Sequence, residues 1–209
     1  MVLDPPRSRL AHAHVMTTLA SGFVGGLTGG IVARAWMRLV AKSPEFTWSG
    51  TLAITLGFAI FGLTQAGVFA AREHAIKPIT ISAARIVGAI GMLPLFLAAG
   101  AQMLPTVIGG GLAVARIDWR HRARTVAVVI ALAPVVLVTR TFVHDFGWSP
   151  RSAAGTVGLV AIYTTIIWAT RPTLAPHPAG FCKSRKAKFV VTAVVAIAAA
   201  VPLLIGGVR

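Results

Sequence analysis

From Ile86 to Ala115 the chain runs thirty residues without a charged side chain, and Arg85 and Arg116 stand at its two borders. Soluble folds rarely carry such a stretch, because a helix or strand with one wet face needs polar positions at regular intervals. A bilayer favours it: a hydrocarbon core about 30 Å thick takes roughly 20 consecutive apolar residues of helix. The same pattern, an apolar run closed by arginine or lysine, recurs along the sequence at about 15–33, 51–71, 83–103, 125–143, 153–170 and 189–208. These runs are continuously apolar, whereas barrel strands alternate faces over about ten residues. The sequence therefore predicts an all-α, polytopic transmembrane helix bundle of six spans, with residues 1–209 forming a single membrane domain.

Ile86 to Ala115 is also the hardest stretch to place. One straight helix of that length would be about 45 Å long, too long for a single crossing without strong tilt and too short for two. Pro105 and the run Gly109, Gly110, Gly111 predict that 104–115 is irregular, either interfacial or re-entrant. If Gln102 to Ala115 crosses instead, the spans number seven. Basic residues mark the cytoplasmic loops of membrane proteins. Six spans divide them 12 against 8, with Arg34–Gly50, Arg116–Arg124 and Arg171–Lys188 on one side. Seven spans divide them 14 against 6, with the N-terminal tail and Arg72–Arg85 joining the latter two loops. Both readings put Arg116–Arg124 and Lys183–Lys188 in the cytoplasm and Trp148 outside. They disagree about Ser49.

Composition narrows the partners. Hydrophobic residues make up 56% of the chain and charged ones 12%, half the roughly 25% of an ordinary soluble domain. The net charge of +15 is scattered over loops at span ends rather than gathered on a polar domain, which argues against nucleic acid and for anionic lipid head groups. Arginine outnumbers lysine amid abundant Ala, Val and Gly, a composition that suits a GC-rich bacterium and hence a multi-pass protein of the inner (plasma) membrane. The first fourteen residues have no compact apolar core ending in a small-residue cleavage site, so the first run is expected to be a retained span. Cys182 is the single cysteine, and no disulfide within the chain can form. Trp36, Trp48, Trp119, Trp148 and Trp168 fall at span ends, where indoles anchor helices among head groups.

All five acidic residues, Asp4, Glu45, Glu73, Asp118 and Asp145, lie outside the apolar runs. Ion coupling, proton relay and most hydrolytic chemistry lean on a buried carboxylate, so an interior without one points away from them. No GxSxG or HExxH occurs, and no serine, histidine and carboxylate fall at one depth. The six histidines are in tails and loops, with no two expected to face each other, so neither metal nor haem nor another cofactor is assigned. No residue is assigned a catalytic role, and the chain reads as a non-enzyme: an accessory, scaffold or assembly subunit.

Three groups of residues stand out. In SGFVGGLTGG, Gly22, Gly26 and Gly30 make two successive GxxxG steps and Gly25 and Gly29 another, a spacing that lets helix backbones approach closely. The contact would be another span, a second copy of the chain, or a partner membrane protein. Arg34 and Arg38 share one helical face and, with Arg85, Arg140 and Gln65, suggest an alternative reading as a carrier or channel for an anionic or lipidic substrate. The plainer reading has the arginines snorkel as anchors, Arg140 pair with Asp145, and Gln65 bond between helices. Lys183, Arg185, Lys186 and Lys188 form a patch suited to an anionic leaflet.

The string ARAWMRLVAKSPEFTWSGT has a small residue and Arg, then Met-Arg, then Pro, an acidic residue, Phe, and a Gly-Thr opening the next run. Over about Gly22 to Gly67 it resembles small uncharacterised polytopic membrane proteins of actinobacteria. The resemblance implies a membrane protein and carries no catalytic residue onto these positions.

Overall fold

The computed structural model describes residues 5–43, 46–74, 78–100 and 102–176, and among them it is all-helical, with seven helices and no strand. They are α1 (Pro5–Val40), α2 (Trp48–His74), α3 (Pro78–Ile90), α4 (Leu93–Ala99), α5 (Met103–Ala115), α6 (His121–Phe146) and α7 (Pro150–Leu174). Five helical stretches are long and apolar enough to cross a membrane: 12–40, 48–74, 79–98, 121–146 and 150–174. Val126, Val129, Leu132, Val136 and Leu137 lie exposed along α6, an apolar surface that water would penalise and lipid does not. The sixth expected span, 189–208, lies outside the described residues, as do Glu45, Lys183, Arg185, Lys186 and Lys188.

The thirty-residue stretch breaks at two places, each with a local cause. Pro94 has no N–H for the carbonyl of Ile90 and its ring crowds that carbonyl, so α3 ends at Ile90 and α4 restarts at Leu93. Gly100, with φ +101°, then closes α4 in a conformation that side chains rarely adopt, and its N–H donates to the carbonyl of Phe96 at 3.0 Å. Residues 104–115, expected to be irregular, belong instead to the regular helix α5. Pro105 sits in the first turn, where a missing N–H costs nothing. The three glycines pack rather than unwind. A Cβ on Gly109 would stand 2.8 Å from the carbonyl oxygen of Ala127 in α6, and one on Gly111 would stand 2.7 Å from Thr170 Oγ1 in α7. Thirteen residues span about 20 Å, so α5 is shorter than the hydrocarbon core.

Contacts between helix ends fix the direction of each helix. At one end the start of α1 meets the end of α2 through His14 and Glu73, the end of α2 meets the end of α7 through Arg72 and Pro176, and the start of α6 meets the end of α5 through Arg124 and Ala113. At the other end Arg151 at the start of α7 reaches Leu39 and Ala41 at the end of α1, and Lys42 reaches Asp145 near the end of α6. The unit α3–α4–α5 therefore enters and leaves at the first end. Residues 34–50 and 116–124, grouped on one side by the six-span arithmetic, lie at opposite ends, because α3–α4 and α5 run in opposite directions.

α1 and α2 are held together by their glycines. A Cβ on Gly22 would meet Ala66 and the carbonyl oxygen of Gly62, the latter at 2.6 Å; one on Gly26 would meet the backbone of Phe58; one on Gly30 would lie 2.8 Å from the Cα of Thr55. Gly62 faces the carbonyl of Gly22 in return. Among the described residues, a Cβ on Gly25 meets nothing within 4 Å, and one on Gly29 meets the ring of Phe58. The two glycine rows of α1 thus have different surroundings. One is closed by α2, and the other is open.

Two outcomes are expected. Gly62→Leu should lower the melting temperature in detergent by the equivalent of about 1–3 kcal/mol, the usual cost of overpacking, while Gly25→Ala leaves it unchanged or raises it. Alkaline phosphatase fused after Ser49 should be active outside the cytoplasm, and green fluorescent protein fused after Trp119 should fluoresce inside, because these positions lie at opposite ends of the bundle.

Candidate functional site

Two features concentrate the polar and the open parts of the molecule. The first is a buried polar node where α2, α3 and α7 meet. Gln65, 4% exposed, donates from Nε2 to the carbonyl oxygen of Gly88 at 2.9 Å and accepts from Thr173 Oγ1 at 2.6 Å. Its amide thus ties three helices with both of its polar atoms engaged. Arg85, 8% exposed, donates from Nε to the carbonyl oxygen of Thr173 at 2.7 Å. Arg72 donates from Nη1 to the carbonyl of Pro172 at 3.2 Å and from Nη2 to that of Pro176 at 2.8 Å. Proline explains part of this arrangement. Pro176 has no N–H to return to the carbonyl of Pro172 four residues earlier, so an arginine supplies the donor.

The same device recurs at other helix ends. Arg151 donates to the carbonyls of Leu39 and Ala41 at 2.8 Å each, closing α1, and Arg124 donates to that of Ala113 at 3.3 Å, closing α5. Cations at helix C-termini complement both the unpaired carbonyls and the negative end of the macrodipole. Arg72, Arg124 and Arg151 were not singled out from the sequence, since each acceptor belongs to another helix and no local spacing marks the pair.

The arginines of the carrier reading do not converge. Arg34, at one end, donates from Nε to Thr51 Oγ1 at 3.2 Å, and Arg38 lies over the ring of Phe46 with 5.2 Å to its centroid. Arg85 belongs to the other end, and Arg140 is exposed on α6. Asp145, expected to pair with Arg140, instead accepts from Lys42 at 2.8 Å and lies 3.3 Å from His144 Nδ1. Arg140 and Asp145 are five residues apart, which turns their side chains away from each other on one helix. Trp36, expected as an anchor, is a clamp: its Nε1 donates to the carbonyl of Gly155 at 2.8 Å and its ring meets Phe142 edge-on at 6.0 Å. Trp48, Trp148 and Trp168 are exposed at helix ends, as an anchoring role requires. His14 and His74, expected to stay apart, face each other across α1 and α2 with ring centroids 5.6 Å apart.

The second feature is an open groove of about 540 Å³ between α1, α2 and α7. Ser21, Gly25 and Gly29 line it from α1, Ala161, Thr165 and Ala169 from α7, and Phe58 and Phe61 from α2. Among the described residues, no charged side chain lines it. Gln65, expected from the sequence to line a polar path, is among its lining residues; among the described residues the groove offers hydroxyls, this amide and apolar walls, and no group that exchanges a proton near neutral pH. A smaller cavity of about 260 Å³, lined by Trp36, Gln102, Met103 and Tyr163, lies toward the opposite end from the node.

The fold defines a multi-pass α-helical membrane protein whose described residues have a tightly bonded interior and an open groove between α1, α2 and α7. No family model, curated protein or solved structure matches the chain.

Arg85→Leu should leave the carbonyl of Thr173 without this donor and cost about 1.5–3 kcal/mol, the range for hydrogen bonds to charged groups. Arg140→Leu, an exposed change, should stay within about 0.5 kcal/mol. Thermal melts of both variants in one detergent measure the contrast.

Proposed function

We propose that the protein is a chemically passive membrane subunit, an accessory, scaffold or assembly component, that seats the transmembrane helix of a partner chain in the groove between α1, α2 and α7. The observation that carries this reading is the pair of small-residue rows facing into that groove. Ser21, Gly25 and Gly29 repeat every four residues on α1, and Ala161, Thr165 and Ala169 do the same on α7. Helices in lipid gain no hydrophobic drive by associating; they gain close van der Waals contact, which small residues permit. The hydroxyls of Ser21 and Thr165 donate within their own helices, to Thr18 and Ala161, which leaves their oxygens able to accept from a partner. Among the described residues, nothing lies within 4 Å of where a side chain on Gly25 would begin. Anionic lipid head groups are the natural companions of the end that holds Arg72, Arg116, Arg120, Arg122 and Arg124. An anion carrier would need its arginines around one cavity, and among the described residues no arginine lines the groove.

Photo-crosslinking in native membranes tests the reading. With p-benzoylphenylalanine in place of Gly25 or Thr165, the chain should cross-link to a second polypeptide of defined mass, identified by mass spectrometry as a copy of itself or another protein. The same probe at Val129, on the lipid face of α6, should label lipid alone. Labelling of lipid alone from Gly25 and Thr165, or of residues 189–208 of the same chain, would overturn the proposal.

A further inference from the structure

The geometry points to a second site, independent of the groove: a divalent transition-metal site of the zinc type formed by His14, Glu73 and His74. His14 Nε2 lies 3.5 Å from Glu73 Oε2, and His74 Nε2 lies 4.0 Å from the same oxygen. One ligand atom from each residue falls within 4.8 Å of the other two. Zinc bound tetrahedrally at about 2.0–2.1 Å from nitrogen and oxygen places its ligands roughly 3.4 Å apart. The first distance already matches that edge. The others close by rotation of side chains that all stand at the surface, with exposures of 60% for His14, 41% for Glu73 and 38% for His74.

The backbone arrangement brings this set together. His14 belongs to the first turns of α1, and Glu73 and His74 close the last turn of α2. The two helices run antiparallel at glycine-to-glycine distance, so positions near their meeting ends face each other. The unpaired carbonyls at the end of α2 give that corner a negative potential, which favours a cation. Arg72, the nearest arginine in sequence, is turned away, with its guanidinium engaged on α7. Two imidazoles and one carboxylate select zinc, cobalt or nickel over magnesium or calcium, which prefer all-oxygen shells. Three protein ligands leave a fourth position for water or another donor.

Such an ion would act as a clip. In the apolar window of α1 only 6% of the residues are buried among the described residues, and hydrogen bonds that tie it beyond its glycine row, Trp36 to Gly155 and Arg151 to Leu39 and Ala41, lie at the end far from His14. A metal bridging His14 to Glu73 and His74 would fix its first turns to the end of α2, with metal binding adding directly to the stability of the docked state.

The test uses tag-free, full-length protein in detergent, stripped with chelator and titrated with cobalt(II). Expected are the visible absorption bands of four-coordinate cobalt, saturating at one equivalent and bleached by zinc. His14→Ala and Glu73→Gln should each weaken binding by at least about tenfold, the scale on which losing even a supporting partner of a metal site is felt. His144→Ala, at the opposite end, should leave the affinity unchanged. Zinc should also slow proteolysis within α1 in the parent protein and have no such effect in His14→Ala. Absence of the cobalt bands at concentrations up to roughly 100 µM, far above the affinity of a built zinc site, would overturn the assignment. So would cobalt binding that is indifferent to both ligand substitutions. Because all three side chains are exposed, the variants should fold as the parent does, which the melting temperature without metal verifies.

Discussion

An arginine that must leave water in a chain with five carboxylates has few anions to meet, and in this protein the partner is the backbone itself. Arg72 and Arg85 end on the last carbonyls of α7, Arg124 on that of Ala113 in α5, and Arg151 on those closing α1. Each helix C-terminus presents carbonyls without intrahelical donors and the negative end of a dipole. Meeting the two needs together stabilises both, and it does so without importing a group that titrates near neutral pH. Among the described residues most buried polar side chains lie toward helix ends, with Gln65 in the body of α2 an exception.

That arrangement directs the chain's path. Arg72 and Arg85 draw the start of α3 and the end of α2 to the end of α7, while Arg151 draws the start of α7 to the end of α1. Between these clasps the helices approach through residues that have almost no side chain: Gly22, Gly26 and Gly62 between α1 and α2, and Gly109 between α5 and α6. Gln65 adds the one amide that bonds across three helices. Among the described residues the bundle is closed in this way between α1 and α2 and has a groove between α1, α2 and α7.

Much of the architecture was legible because lipid imposes blunt rules. Apolar run lengths marked α1, α2, α6 and α7, and the basic loops marked their ends. The stretch Ile86–Ala115 was harder, since Pro105 and Gly109–Gly111 are helix breakers when exposed; α5 stays regular because α6 and α7 cover the glycines and the proline falls in the first turn. Gly22, Gly26 and Gly30 could be recognised by spacing, yet spacing was silent about which glycine row α2 would close. Trp36 read as an anchor from its position near a span end, and only its neighbour Gly155 makes it a clamp.

By itself the sequence determined the solvent: runs of about twenty apolar residues closed by arginine can be satisfied only by helices in a bilayer, and all five acids lie outside those runs. The tertiary structure decided every pairing between distant residues. Arg72 with Pro176 and Arg151 with Leu39 join positions 104 and 112 residues apart, and His14 with Glu73 joins positions on two successive helices. Such pairs leave no periodic trace, because helical spacing reports which face a residue occupies and says nothing about what lies opposite.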